Sequence, residues 1–325
     1  MKNSESKKQS LTPYLERLKA VKDYFRWREK HGGIDSPKLR HKLMPQIAFL
    51  DLPQGVARAA TAIADGQPVV TDYGATYGTA FSTSIREEVA LARGERAPLE
   101  VVSVVSTQRQ VYDWLDESKL HPDLHQSIQV GKLGILEGVA FVRFPANDQA
   151  KQQVGSYCIN AKGEIQVFMV PESDPLMRCL REQHNISHIA VRSSNITGFP
   201  EEPYVDGAMK YASQIGAPLF IVRKLASFKA QFKKGDEIDR PRVGSQPILR
   251  LPMLGDEKQI EVVRTGNTSF DTLERLMAEF TIAGFKIVDK PEKKAPPTRR
   301  TYQVDPSITD PHQIKIELLR ASDLL

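Results

Sequence analysis

The stretch His188–Gly198, "HIAVRSSNITG", poses the main question of this chain. It begins as an apolar strand and leaves it through Arg192, Ser193, Ser194, Asn195 and Thr197, with the backbone released only at Gly198. Strand exits rich in Ser, Asn and Gly are commonly turns, because short polar side chains bond nearby backbone and Gly tolerates positive φ. The same hydroxyls, amide and guanidinium at a strand end also make a cradle for a polar ligand. What the rest of the chain places around them decides between the two.

Working outward, the chain has 325 residues, 40% of them hydrophobic, enough for one large α/β domain with extensions or for two modest domains. No apolar run approaches the roughly 20 residues that span a bilayer, and the opening Met1-Lys2-Asn3-Ser4 leads into no signal-peptide core. Cys158 and Cys179 are isolated, which fits a reducing compartment rather than a disulfide framework. Together these features predict a soluble, cytoplasmic protein with no membrane partner.

The net charge of +5 is unevenly placed. Met1–Lys42 carries 12 Lys or Arg against 5 Asp or Glu, and Lys286–Tyr302 carries 6 against 2. The body between them, Leu43–Phe285, has a net charge of −4. Basic arms on a mildly acidic body are a footprint for RNA or another polyanion, and solvated basic tails share the same composition.

"LTPYLERLKAVKDYFRWREKHGG", Leu11–Gly33, reads as a helix: Thr12 caps it, Pro13 suits its first position and Gly32-Gly33 ends it. From Ile47 onward, short β-like runs such as "QPVVTDYGATYGTAF", "GVAFVRF", "IQVFMV" and "APLFIVR" alternate with helical ones such as "STSIREEVALARG" and "DPLMRCLREQ". That alternation predicts an α/β domain with a mixed sheet. A last unit follows, with "QPILRLP" and "KQIEVVRTG" as strands, one helix over Ser269–Gly284 and "FKIVD" as a closing strand. The expected organisation is a basic helical extension over 1–45, the α/β domain over 46–289, and over 290–325 a Pro-rich linker with a short docking segment.

Several chemistries lack their motif. There is no P-loop and no dinucleotide fingerprint, and no G-x-S-x-G elbow for a serine hydrolase. His121/His125 and His184/His188 have the i,i+4 spacing of zinc ligands, but Pro122 disturbs the first pair and a helix-to-strand junction the second. No metal ligand set is assigned.

"SSNITG", Ser193–Gly198, resembles the S-x-N-x-S/T-G turn of the YrdC-like family, the threonylcarbamoyl-AMP synthases that begin threonylcarbamoyladenosine modification of tRNA. Other stretches resemble that family in order. "AIADGQPVVTDYGATYGTAF" is similar to its P-T-D/E-T-x-Y-G-L opening, keeping Tyr77-Gly78. "ALARGERAPLEVVSVV" is similar to its K-x-R then P-L, keeping Arg93 and Pro98-Leu99. "IQVFMVPESDPLMRCLREQ" is similar to its V-R-I-P segment, and Arg264 with Gly266 match its closing R-x-G. The resemblance covers roughly residues 50–285. It implies a twisted mixed sheet with flanking helices around a concave cavity, here with an added N-terminal helix and C-terminal tail.

In that family a carbamate of threonine attacks the α-phosphate of ATP, giving threonylcarbamoyl-AMP and pyrophosphate with Mg²⁺ and a cationic clamp. The resemblance therefore implies ATP and Mg²⁺, with Arg93, Ser193 and Asn195 as catalytic residues and Tyr77, Arg192, Thr197 and Arg264 around the nucleotide. The departures fall on the same chemistry. Leu91 stands at the Lys of K-x-R, Met169 at the Arg of V-R-I-P, Asp72-Tyr73-Gly74-Ala75 at P-T-D/E-T, and Gln246-Pro247 at a Ser-Thr pair. Each lost charge-assisted contact is worth about 1.5–3 kcal/mol. Arg192 and Arg96 are candidates to restore charge. Two functions follow: a diverged nucleotidyltransferase of the threonylcarbamoyl-AMP synthase type, or a non-catalytic YrdC-like protein that binds a nucleotide, tRNA or double-stranded RNA.

Overall fold

Short strands with residues buried on both faces form the body, as expected where helices cover both sides of a sheet. The computed structural model describes residues 45–73, 77–93, 101–194, 205–224, 245–291 and 301–322. The expected helix over Leu11–Gly33 lies outside the described residues, as do Asn195 and Thr197. The strands are β1 (Gln46–Phe49), β2 (Val69–Asp72), β3 (Tyr77–Phe81), β4 (Ser103–Thr107), β5 (Phe141–Pro145), β6 (Glu164–Val170), β7 (Ile189–Ser193), β8 (Leu219–Val222), β9 (Ile248–Arg250), β10 (Gln259–Arg264) and β11 (Lys286–Asp289). Among the described residues they make one mixed sheet of order β1-β8-β2-β3-β7-β4-β6-β5-β9-β10-β11.

The sheet is parallel across β1, β8 and β2. It turns antiparallel at β3 and β7, then alternates through parallel β4–β6, antiparallel β5–β6 and parallel β5–β9. The run "QPVVTDYGATYGTAF" is therefore two strands folded back on each other, Val69 opposite Ala80 and Asp72 opposite Tyr77.

Helices flank this sheet. α1 (Pro53–Ala64) has Pro at its first turn, and its small buried face of Ala59, Ala60 and Ala62 lets it lie close to β1. A Cβ on Gly55 would sit 2.1 Å from the Phe49 carbonyl oxygen, so only Gly permits that approach. α2 (Arg86–Ala92), α3 (Gln108–Trp114), α4 (Pro122–Gln129) and α5 (Asp148–Val154) follow. α6 (Pro175–His184) packs on α1; its cap is Asp174, which accepts from the Met177 N–H at 3.0 Å, and it ends at Asn185 with φ of 55°. α7 (Val205–Gln214), α8 (Phe270–Leu276), α9 (Ala278–Ile282) and α10 (Pro311–Ala321) complete the set.

One local expectation changes. Pro122 starts α4 and His121 caps it, its Nδ1 accepting from Asp123 N at 3.2 Å. The single helix expected over 269–284 is α8 and α9, with the fully buried Met277 at the break in a non-helical φ/ψ of −90°/16°.

Three buried clusters fill the body. Tyr73, Phe168, Leu176 and Leu180 belong to one on the α1–α6 side, and Tyr77, Phe220, Met209 and Tyr211 to another under α7. The largest, around Trp114, Phe144 and Phe280, extends to Val304, Ile314 and Leu318, so residues 301–322 pack on the body.

Candidate functional site

Strand register builds the first half of the site. Gly78 of β3 lies opposite Ser193 of β7, and Thr79 opposite Arg192. The Ser194 N–H donates to the Tyr77 carbonyl at 3.0 Å, which carries the pairing one residue past the strand. Arg93, the residue after α2, is buried, and its Nη1 donates to the Ser193 carbonyl and to the Tyr211 hydroxyl at 3.3 Å. That hydroxyl is also 3.0 Å from Thr79 Oγ1. Tyr77 packs its ring on Phe220 at 5.5 Å. Four residues expected from the sequence, Tyr77, Arg93, Arg192 and Ser193, thus come together where β3, β7, α2 and α7 meet. Arg192 is half-buried, within electrostatic reach of Cys158, whose thiol burial pushes up to about 12 against the pull of Arg86 and Arg192. Ser194 is 1% exposed, and its hydroxyl has no hydrogen-bond partner among the described residues.

The second half forms around Tyr73, one residue beyond β2. Its ring covers Gly78, where a Cβ would come within 2.6 Å of two ring carbons. Its edge meets Phe168, with centroids 6.2 Å apart, and its carbonyl accepts from the Gln246 amide at 2.9 Å. The carbonyl of Gln246 in turn accepts from Arg264 Nε at 3.2 Å and Nη2 at 3.0 Å. Gly266 has φ of +62°, and a Cβ there would stand 2.2 Å from the Ser245 carbonyl oxygen. Arg264 and Gly266 therefore clamp the entrance of β9. Met169 is fully buried in β6 beside Phe168.

Arg223, Asp174 and Tyr211 complete the site without a sequence signal. Arg223 follows β8 and donates from Nε to the Asp72 carbonyl at 3.2 Å and from Nη1 to Asp174 at 3.0 Å. Burial pulls its pKa down, but Asp174, Asp72 and Tyr73 together outweigh it, so the guanidinium stays charged. Burial raises the Tyr73 phenol well above its ordinary range, which keeps it a neutral O–H donor. The partners of Arg223 lie 151 and 49 residues away in sequence. Its one local mark is that the apolar run "LFIV" ends in a cation at a strand's carboxyl end.

Chemically, Arg93 and Arg264 bond carbonyl oxygens, which orients each guanidinium. Among the described residues no three His, Cys, Asp or Glu cluster as metal ligands.

No protein-family model matches the chain, and no curated protein does. Solved structures do. A P. abyssi Sua5 variant aligns with a TM-score of 0.50 at 16% identity, over 75% of this chain and 66% of that one. P. abyssi Sua5 complexed with L-threonine aligns with a TM-score of 0.50 at 14% identity, over 76% and 63%. A hypothetical protein from Streptococcus mutans aligns with a TM-score of 0.50 at 12% identity, over 77% of this chain and all of that one. The fold is YrdC-like. This YrdC-like chain spans about two thirds of the length of the Sua5 chains it matches. Among its described residues, no helix of the YrdC-like chain is long and apolar enough to cross a membrane.

Proposed function

We propose that this YrdC-like protein binds a nucleotide, ATP or an AMP-type product, at the strand exit held by Arg93, Ser193 and Ser194, and that threonine is not its second ligand. The observation that carries the reading is the contact between Arg93 and Ser193, 100 residues apart in sequence, beside a buried Ser194 hydroxyl with no partner among the described residues. A cation anchored on a carbonyl next to a buried serine hydroxyl suits phosphate oxygens. One structural relative is complexed with L-threonine. Here Tyr73 stands at a Thr of the family's P-T-D/E-T, and its ring covers Gly78. That substitution argues for a different second ligand or for none.

Titration of the full chain with ATP and AMP, with and without Mg²⁺, tests the reading. Binding in the wild type that Arg93→Ala loses supports it; no binding, or binding indifferent to Arg93→Ala, overturns it. The enzyme reading, favoured by the same Arg93–Ser193 contact, predicts AMP and pyrophosphate from ATP, bicarbonate and some amino acid. If no amino acid gives product while labelled tRNA or double-stranded RNA binds with a steep salt dependence, the non-catalytic reading stands. Deletion of residues 1–42 should then weaken RNA binding and flatten that dependence.

A further inference from the structure

Arg93, Tyr211 and Thr79 are all buried, and the Tyr211 hydroxyl lies 3.3 Å from Arg93 Nη1 and 3.0 Å from Thr79 Oγ1. A guanidinium has five donors and no acceptor, so the phenol oxygen accepts from Arg93. Among the described residues Thr79 Oγ1 is the acceptor within reach of the phenol's own hydrogen. The chain therefore runs one way: Arg93 donates to Tyr211, and Tyr211 to Thr79. Its members come from the end of α2, from α7 and from β3, where Thr79 lies opposite Arg192. The Tyr211 ring belongs to the apolar cluster of Tyr77, Phe220 and Met209, so packing sets where its hydroxyl stands. The same Arg93 nitrogen also donates to the Ser193 carbonyl at the strand exit.

We infer that Tyr211 is a positioning residue, which holds the Arg93 guanidinium ready for the phosphate of a nucleotide and acts through Arg93 rather than on the ligand. The role rests on the nucleotide reading for the identity of the anion. An arginine side chain has about 2 kcal/mol of rotamer entropy to lose, and a ligand that meets it already oriented does not bear that cost. Thr79 works one step further back. By taking the phenol hydrogen it leaves the oxygen lone pairs of Tyr211 to Arg93. Tyr211→Phe keeps the ring in its cluster and removes the contact to Nη1. Thr79→Val keeps the branched shape that suits β3 and removes the acceptor, so the phenol hydrogen is no longer held away from Arg93.

Isothermal titration of the full chain with AMP and with adenosine tests it. Tyr211→Phe should weaken AMP about 3- to 10-fold and leave adenosine unchanged, because the guanidinium acts on the phosphate. Thr79→Val should reproduce that split, and Thr79→Ser, which keeps the acceptor, should bind AMP as the wild type does. A phenol that only fills the core would weaken both ligands alike or neither. Equal weakening of AMP and adenosine in Tyr211→Phe, AMP binding unchanged in Tyr211→Phe, or Thr79→Ser behaving like Thr79→Val would each overturn the role. Arg93→Ala titrated in parallel separates the two ideas. AMP binding that Arg93→Ala loses and Tyr211→Phe keeps sinks the role of Tyr211 alone, whereas a wild type that binds no AMP sinks the nucleotide reading and this role with it.

Discussion

His188 immediately precedes the strand that ends in Ser193, and its ring lies edge-on to Trp114 with centroids 5.3 Å apart. Burial there pulls its pKa down to about 4. An unfolded His takes up its proton near 6.5. The neutral folded ring therefore contributes its full stability above about pH 6.5, and that contribution is lost as pH falls through the folded value, by up to about 3 kcal/mol. Urea unfolding between pH 7.5 and 4 should show this loss in the wild type and a shallower slope in His188→Gln; parallel curves would mean that His188 does not carry it. Arg93 is the other residue whose replacement is sharply defined. Arg93→Lys keeps a cation but not the planar guanidinium whose Nη1 reaches both the Ser193 carbonyl and the Tyr211 hydroxyl. Its cost should approach that of Arg93→Ala, about 2–3 kcal/mol by urea unfolding. Full rescue by Lys would reduce the clasp to charge alone.

At the scale of elements, the close approach of Tyr73 to β3 is the most demanding contact. Gly78→Ala should drive the Tyr73 ring off the strand and cost about 2–3 kcal/mol, and Tyr73→Ala in the same chain should relieve most of that clash. Additive losses in the double variant would show that the ring does not sit on Gly78. The same stretch shows what the sequence discloses and what it does not. Apolar runs such as "IQVFMV" and "LFIV" announce β6 and β8 because their residues are buried on both faces. The division of residues 67–81 into β2 and β3 is invisible in an unbroken β-like run. Motif order brings out Arg93 and Ser193, since each lies in a local pattern. Arg223, Asp174 and Tyr211 stay hidden because their partners come from distant strands and helices, a product of sheet order rather than of spacing.

Over the whole molecule, one side chain makes three of the hydrogen bonds that tie the last described segment to the body. Arg275 of α8 donates to the carbonyls of Val304 at 2.8 Å, Asp305 at 3.0 Å and Ile308 at 2.6 Å. Tyr302 pairs with Thr268, and farther along Lys315 of α10 reaches the Gly134 carbonyl at 2.6 Å. Burial lowers the Lys315 pKa, and Glu137, 3.9 Å away, pulls it partly back. The segment buries Val304, Ile314 and Leu318 on the same core that supports β5 and β10. Arg275→Met keeps the apolar stem but orphans three carbonyls, and with net bonds to a charged donor worth about 1.5–3 kcal/mol it should release the segment before the sheet. Hydrogen exchange should then rise about 10- to 100-fold at the Tyr302 and Val304 amides, which bond Asn267 and Thr272 in the wild type. The amides of β2 and β8, four strands or more from β5 in the sheet, should keep their protection. Equal acceleration in both regions would mean that residues 301–322 unfold only with the whole sheet, and the segment would then be part of the core rather than a strap across it.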